Sequence, residues 1–362
     1  MAWCQICTTC GPRQLRRILQ HLQFEIPKDS DVKLSVIIPV HNGGDEFRLC
    51  LDALGASTRC PDEVIVADDA STDWSGHLAR QHGVGVLSLE GPSHGPAFAR
   101  NRGAEKARGD ILVFLDADVA IHSDALARME RCLTEHPEIA AVFGSYDAEP
   151  RAGSLVSRYK NLLHHYVHQH SLREASTFWG ACGAIRCEAF ATLGGFNEGY
   201  ARPKIEDIEF GVRLRRAGHR VWLCPDVQVT HLKHWTIASL LRTDIFDRAI
   251  PWTRLILQDT HLPSELNLTF KSRFSAIAAW ALLASLVLAF RWPWAVIGAL
   301  LSVTVVVVLN ADLYRFFQRQ GGFWFAAGAA GLHLLYLLYS SLVFVLVVAQ
   351  TVLARLCARL WK

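Results

Sequence analysis

From Phe274 to the end of the chain, charge almost disappears. Up to about Lys271 the text is mixed and polar. Beyond it, residues such as Arg291, Arg315, Arg319, Arg355, Arg359 and Lys362 stand as short islands in apolar surroundings. That composition belongs to a membrane rather than to the core of a soluble domain. Three apolar stretches are visible: Phe274 to Phe290, Trp292 to Leu309, and Phe323 to Ala354. The first two are close to the lower limit of about 17 residues for a spanning helix, and their tight "RWPW" joint reads as a hairpin with aromatic anchors. The expectation is a transmembrane region over 273–362 with about three helices, 274–290, 292–309 and 323–349.

Basic residues do not fix the orientation of these spans. Lys271 and Arg273 precede the first, Arg315 and Arg319 separate the second from the third, and Arg355, Arg359 and Lys362 follow. Three crossings place that basic tail opposite the soluble domain, against the positive-inside tendency. The N-terminus has no continuous apolar run of the secretory kind, so the soluble part is expected in the cytoplasm on the plasma or inner membrane. Lys+Arg 37 against Asp+Glu 34, a net charge of +3, gives no reason to expect nucleic acid. The N-terminal segment 1–32 carries Cys4, Cys7 and Cys10, three thiols without the fourth ligand of a closed zinc site. It also carries "RQLRRILQHL", where Leu15, Ile18, Leu19 and Leu22 share a helical face flanked by Arg13, Arg16 and Arg17. Such a helix lies on an anionic membrane surface or packs on the domain; the residues allow both.

Between these ends the hydrophobic pattern changes to short runs closed by polar turns. "KLSVIIPVHN" (33–42), "DEVIVADDASTD" (62–73), "VGVLSL" (84–89) and "ILVFLDAD" (111–118) have the form of strands buried on both faces. Helical segments fall between them at Phe47 to Ala56, Ser75 to Gln81 and Pro96 to Ala107, with Gly109 as the last stop. The alternation predicts an α/β, Rossmann-like, mostly parallel sheet flanked by helices. Ligands of such sheets bind beyond the carboxyl ends of the strands. His41-Asn42, Asp68-Asp69 and Asp116-x-Asp118 all stand there. One acid pair at a strand end is ordinary; three polar strand ends on one edge make a site. Further on, Glu206, Asp207 and Glu209 open a helix with Ile208, Phe210, Val212 and Leu214 as its apolar residues, where the helix dipole favours acids by under about 1 kcal/mol. "RVWLCP" and "VQVTH" read as two short strands, the second delivering His231.

In this order "SVIIPVHN", "VIVADDASTD", "ARNRGAEKARGDILVFLDADV", "WGACGAIRCEAFATLGGFNE", "EDIEFGVRLRRAGHRV" and "VTHLKHWT" resemble the inverting family 2 glycosyltransferases of the GT-A fold, over residues 34 to about 236. The resemblance implies a GT-A catalytic domain over 33–236. It implies a nucleotide-sugar site with Pro39, His41, Asn42, Asp69, Arg100, Asp116, Ala117 and Asp118. In it His41-Asn42 and Asp69 hold base and ribose, Asp116 is the acid that contacts the ribose or supports the metal ligands, and Asp118 is the acid nearer the metal. His231 completes the metal set with Asp118 and Asp116, and Asp207 is the catalytic base, with Glu206 as the alternative. Trp179, Gly180, Glu206 and Trp235 fall in the region of donor sugar or acceptor. A diphosphate and bare carboxylates repel, so a hard cation, Mg²⁺ or Mn²⁺, is expected between them. Arg100 and Arg102 either hold phosphate oxygens or are ordinary exposed helix arginines.

The acceptor is approached through what surrounds this domain. "LLRTDIFDRAIPWTRLILQ" (240–258), within a segment spanning 237–272, mixes Leu, Ile, Phe and Trp252 with Arg242, Arg248 and Arg254 directly before the first span. It reads as an interfacial seat or as a cap on the domain core. Seating would suit a lipid or lipid-linked acceptor of cell-envelope glycan synthesis. "KNLLHHYVHQH" puts His164 and His168 on one helical face without an acid at ligand spacing, which favours a helix lining the acceptor entrance over a metal site. Gln-x-x-Arg-Trp, the mark of processive synthases in this family, is absent, so transfer of one sugar from a UDP- or GDP-type donor is expected. The competing readings are a processive polysaccharide synthase subunit, a nucleotidyltransferase, and a non-catalytic membrane scaffold keeping the fold. Against the second stands "HNGGDEFR", which has acids where a basic glycine loop belongs; against the third stands the joint presence of Asp69, Asp116, Asp118, Asp207 and His231.

Overall fold

The computed structural model describes residues 32–258 and 269–360. The Cys4, Cys7 and Cys10 cluster and the Leu15 to Leu22 face lie outside the described residues. The described chain forms two compact units, one made of segments up to Gly144, Thr177–Arg202 and Glu206–Leu232, the other of Ser145–Ser176, Pro203–Ile205 and the chain from Lys233 onward.

The first unit is built on a sheet of strands β1 (Leu34–Val40), β2 (Glu63–Asp69), β3 (Gly85–Leu89), β4 (Ile111–Leu115), β5 (Val119–Ile121), β6 (Ile139–Tyr146), β7 (Cys182–Arg186) and β8 (Arg220–His231). Their spatial order is β3-β2-β1-β4-β7-β6-β8-β5. Every residue of β1 and β4 is buried, as their unbroken apolar runs require. β3, β2, β1 and β4 run parallel, in registers such as Ile37 opposite Ile65 and Leu34 opposite Ile111. β7 then pairs antiparallel with β4 and with β6. The parallel half is the half whose strands alternate with helices in the sequence. "RVWLCP" and "VQVTH" are one strand, not two: β8 runs through Pro225 for 12 residues, and its end pairs with β5, Val119 opposite His231.

Helices α1 (Gly44–Gly55), α2 (Ser75–Gln81), α3 (Pro96–Lys106) and α4 (Ala125–Glu135) connect the early strands. α1 buries Phe47, Cys50, Leu51 and Leu54, the i, i+3, i+4, i+7 stripe of a helix lying on a sheet. α3 differs in kind: its buried face is Ala97, Ala99, Arg100, Asn101 and Gly103. Small residues let the helix approach the sheet closely, and that approach takes Arg100 inside with it.

In the second unit α5 (Leu155–Gln169), α8 (Ile237–Arg242), a π-helical segment (Thr243–Ala249) and α9 (Ile250–Gln258) precede α10 (Phe270–Ala289), α11 (Ala295–Leu309) and α12 (Ala311–Leu360). α6 (Cys187–Thr192) and α7 (Glu206–Arg216) belong to the first unit. α12 is broken at Gly322, whose φ of 77° and ψ of −179° no helix contains. The core of this unit gathers Tyr159, Leu162, Trp235, Leu240, Phe317 and Phe325. α10 and α12 are long and apolar enough to cross a membrane, and only 17% and 22% of their most apolar windows are buried. The middle stretch is shorter than expected: "RWPW" is spent on the turn, leaving 15 helical residues, about 22 Å. The last helix is longer than the expected 323–349 and runs on to Leu360.

Candidate active site

The turns after β1 and β2 are tied into one piece. Asn42 takes a positive φ of 55°, which Asn tolerates, and its Oδ1 accepts from Thr72 N (2.8 Å) and Asp73 N (3.2 Å). Ser71 Oγ accepts from Asn42 N at 3.0 Å, and Asp68 Oδ1 accepts from Ser71 N at 3.0 Å. Burial raises the Asp73 carboxyl, but donation from Ser75 and Gly44 outweighs it and holds the group below its ordinary range. His41 lies 2.7 Å through Nδ1 from the carbonyl oxygen of Asp69; a carbonyl only accepts, so Nδ1 carries the proton. Pro39 stays within β1, opposite Ala67.

Asp69 is fully engaged. Its Oδ2 accepts from Ser93 Oγ (2.8 Å) and Gly95 N (2.7 Å), and both oxygens accept from His94 N at 3.0 Å. This carboxylate therefore organises the turn that starts α3. The sequence reading passed over Ser93, His94 and Gly95; the trace it could have used is "GPSHGP", a Gly/Pro-bounded loop with Pro96 at the first helical position.

The end of β4 carries the next layer. Asp116, Ala117 and Asp118 form a partly exposed turn between β4 and β5. Asp118 Oδ2 is 3.9 Å from Nε2 of buried His231, as the Val119–His231 register requires, and Leu232 N donates to Asp118 O at 2.9 Å. Asp116 turns the other way: its Oδ1 accepts from Arg100 Nη2 at 2.6 Å, while Nη1 donates to Glu206 Oε1 at 3.0 Å. Arg100 is 3% exposed and Glu206 4%, so this is a buried bridge and not an exposed helix arginine. Burial opposes the Arg100 charge, and Asp116, Glu206 and Asp207 around it outweigh burial and raise its pKa. Arg102 does lie at the surface, paired with Glu105 and Glu198. Behind Asp116, burial above all, helped by the charges of Asp118 and Asp116, raises the Cys50 thiol and keeps it protonated.

Asp207 is partly exposed, with Oδ2 accepting from Gly180 N at 3.0 Å and Oδ1 from Ile208 N at 2.8 Å. Trp179, the residue before Gly180, is buried ahead of β7. The first unit thus brings together Asp116, Asp118, His231, Arg100, Gly180, Glu206 and Asp207. Trp235 belongs to the second unit, in whose core it packs, its N–H donating to Ser157 Oγ at 2.8 Å. His164 and His168 lie in that unit too, rings 4.1 Å apart, and burial lowers the pKa of His165 between them in sequence.

Among the described residues no three His, Cys, Asp or Glu side chains form a ready-made metal cage. The fit to a hard cation is of another kind. Mg²⁺ is commonly held by one or two protein groups plus substrate phosphates, and Asp118 with His231 supplies one oxygen and one imidazole nitrogen at neighbouring positions.

Residues 35–194 match the sequence model of Glycosyl transferase family 2. An uncharacterized glycosyltransferase of Escherichia coli, YibD, is 40% identical over 97 residues, covering 26% of this chain and 28% of that protein. The O-antigen chain rhamnosyltransferase RfbN of Salmonella typhimurium is 26% identical over 236 residues, 61% of this chain and 74% of its own length. The chain thus spans less than a third of the first relative. Among solved structures, a mannosyltransferase from Pyrobaculum calidifontis in complex with GDP-Man and Mn²⁺ superposes with a TM-score of 0.50 at 20% identity, over 87% of this chain and 92% of that one. The strand order and the polar strand ends agree with these likenesses: residues 35–194 match Glycosyl transferase family 2, and the fold is of the GT-A kind.

Proposed function

We propose that the chain is a membrane-anchored inverting glycosyltransferase. It moves one sugar from a UDP- or GDP-type nucleotide-diphosphate sugar to a membrane-associated acceptor, a lipid or lipid-linked glycan. The observation that carries this reading is the division of labour among four acids: Asp116 and Glu206 are occupied by Arg100, whereas Asp118 faces His231 and Asp207 stays partly exposed. Asp118 and His231 are the pair suited to a divalent ion, Mg²⁺ or Mn²⁺, which when bound would neutralise charge on the departing diphosphate. Support comes from RfbN, named for O-antigen chains, and from the GDP-Man and Mn²⁺ of the mannosyltransferase complex.

Asp207 is the base in this reading. Its carboxylate takes the proton of the acceptor hydroxyl as that oxygen bonds to the anomeric carbon. The bond from that carbon to the diphosphate breaks, and the nucleoside diphosphate leaves with the electron pair. Glu206 is ill-placed for this task, because its charge is already matched by Arg100 in a buried site. His41 and Asn42, on turns locked to each other, form the nucleoside side of the site. α10 and α12 serve as the membrane anchor, with the first unit on the cytoplasmic side of the plasma or inner membrane.

Binding of UDP and GDP to the purified full chain should require Mn²⁺ or Mg²⁺, and Asp118→Ala should remove that metal-dependent part. Equal affinity of the wild type and Asp118→Ala for both nucleotides would sink the reading. Membranes holding the protein, given a panel of labelled nucleotide sugars, should put label into the lipid extract; label only in the aqueous phase would exclude the lipid acceptor.

A further inference from the structure

One side chain connects the donor side of the site to the base. Arg100 reaches Asp116, just past the end of β4, with Nη2 and Glu206, the first residue of α7, with Nη1. Gly180 lies over the same guanidinium. A Cβ there would stand 3.1 Å from Arg100 Cζ and 3.2 Å from Nη2. Gly180 is also the residue whose N–H holds Asp207 Oδ2. Asp207 is therefore oriented from two directions that both end on Arg100: along the chain through Glu206, and across the gap through Gly180.

We infer that Arg100 is a positioning residue that fixes the Asp207 carboxylate relative to the Asp116–Asp118 turn, and that Gly180 is glycine because a side chain would displace the guanidinium. The inference rests on the transferase reading and deepens it. The physical reason is the shape of the group. A guanidinium is a planar fork that bonds two carboxylates at a fixed angle; a lysine ammonium supplies the same charge as a point and does not impose that angle. Nothing in this role requires Arg100 to touch the donor. Its loss should appear in the rate of the chemical step and not in nucleotide affinity.

The experiment compares Arg100→Lys and Gly180→Ala with the wild type as full-length protein. It measures Mn²⁺-dependent UDP and GDP affinity, and kcat and KM for the labelled nucleotide sugar that the wild type uses. Both variants should keep nucleotide affinity within about threefold, while kcat falls about ten- to a hundredfold, the scale of small misplacements of reacting groups. Gly180→Ala changes no charge, so it decides the matter if Arg100→Lys does not fold. Wild-type kcat in folded Arg100→Lys and Gly180→Ala overturns the inference. A loss of nucleotide affinity with kcat unchanged also overturns it, because Arg100 would then be a donor-binding group. A wild type that transfers no sugar and binds no nucleotide sinks the transferase reading itself; an active wild type with unaffected variants sinks only the role of Arg100.

Discussion

Arg100 in the first unit, which is buried, and Lys160 in the second, which is half-buried, are both cations carried on helices and matched to carboxylates, but their surroundings differ. Arg100 forks to two acids, Asp116 and Glu206, beside a turn where Asp118 remains 36% exposed. Lys160 meets one acid, Asp244, at 2.5 Å, and the second oxygen of that acid accepts from Tyr339 OH at 2.6 Å. Burial raises the Asp244 carboxyl, but Lys160, Arg248 and Tyr339 outweigh it and hold the group below its ordinary 3.8. The first arrangement sets two acids on one cation, beside a turn that is partly exposed. The second closes on itself, tying α5 and the π-helical segment to α12. An ion pair is thus part of the candidate site in one unit and a fastening in the other.

The contrast breaks first at Asp207. Asp207→Asn should lower turnover by about 10² to 10⁴ while Mn²⁺-dependent UDP or GDP affinity stays near that of the wild type. If Glu206→Gln alone stops turnover and Asp207→Asn stays active, the two acids exchange roles. Next, Lys160→Met should destabilise the protein by about 3–5 kcal/mol, because it leaves Asp244 buried without its cation, and the double change Lys160→Met, Asp244→Leu should recover most of the loss. Thermal unfolding in detergent measures both; a Lys160→Met protein of wild-type stability that no longer turns over would move Lys160 from the fastening to the site. Tyr339→Phe should have a smaller effect, about 1.5–3 kcal/mol for one hydrogen bond to a charged group. Smallest is the pH effect. Because the folded Asp244 carboxyl ionises below 3.8, its stabilisation is complete above that value and fades as pH falls through the folded pKa. The stability gap between wild type and Asp244→Asn should narrow accordingly on acidification; a gap that widens contradicts the assigned direction.

The sequence carried the parallel half of the sheet because each of those strands is a local apolar run followed by a helix, as "SVIIPV" and "ILVFL" are. It did not carry β7, β6 and β5, whose antiparallel pairing depends on partners distant in the chain. It split β8 at Pro225 because a proline usually ends a strand, whereas the strand continues through it. It placed the apolar helices of the C-terminal part by composition alone, but not the shortening of α11 or the break at Gly322, which follow from turn geometry.

For the candidate site, the residue types were legible in the sequence: acids after β2 and β4, "EDIE", and a late histidine after an apolar strand. Their pairing could not be read, since Asp116 and Asp118 look alike on paper. Strand register gave Asp118 to His231, and the small-residue face of α3 brought Arg100 inside to take Asp116 and Glu206. Local sequence determined which groups are present and which elements carry them. Only tertiary packing decided which carboxylates are matched by the buried Arg100, because charge matching in a protein interior depends on neighbours that the chain order does not specify.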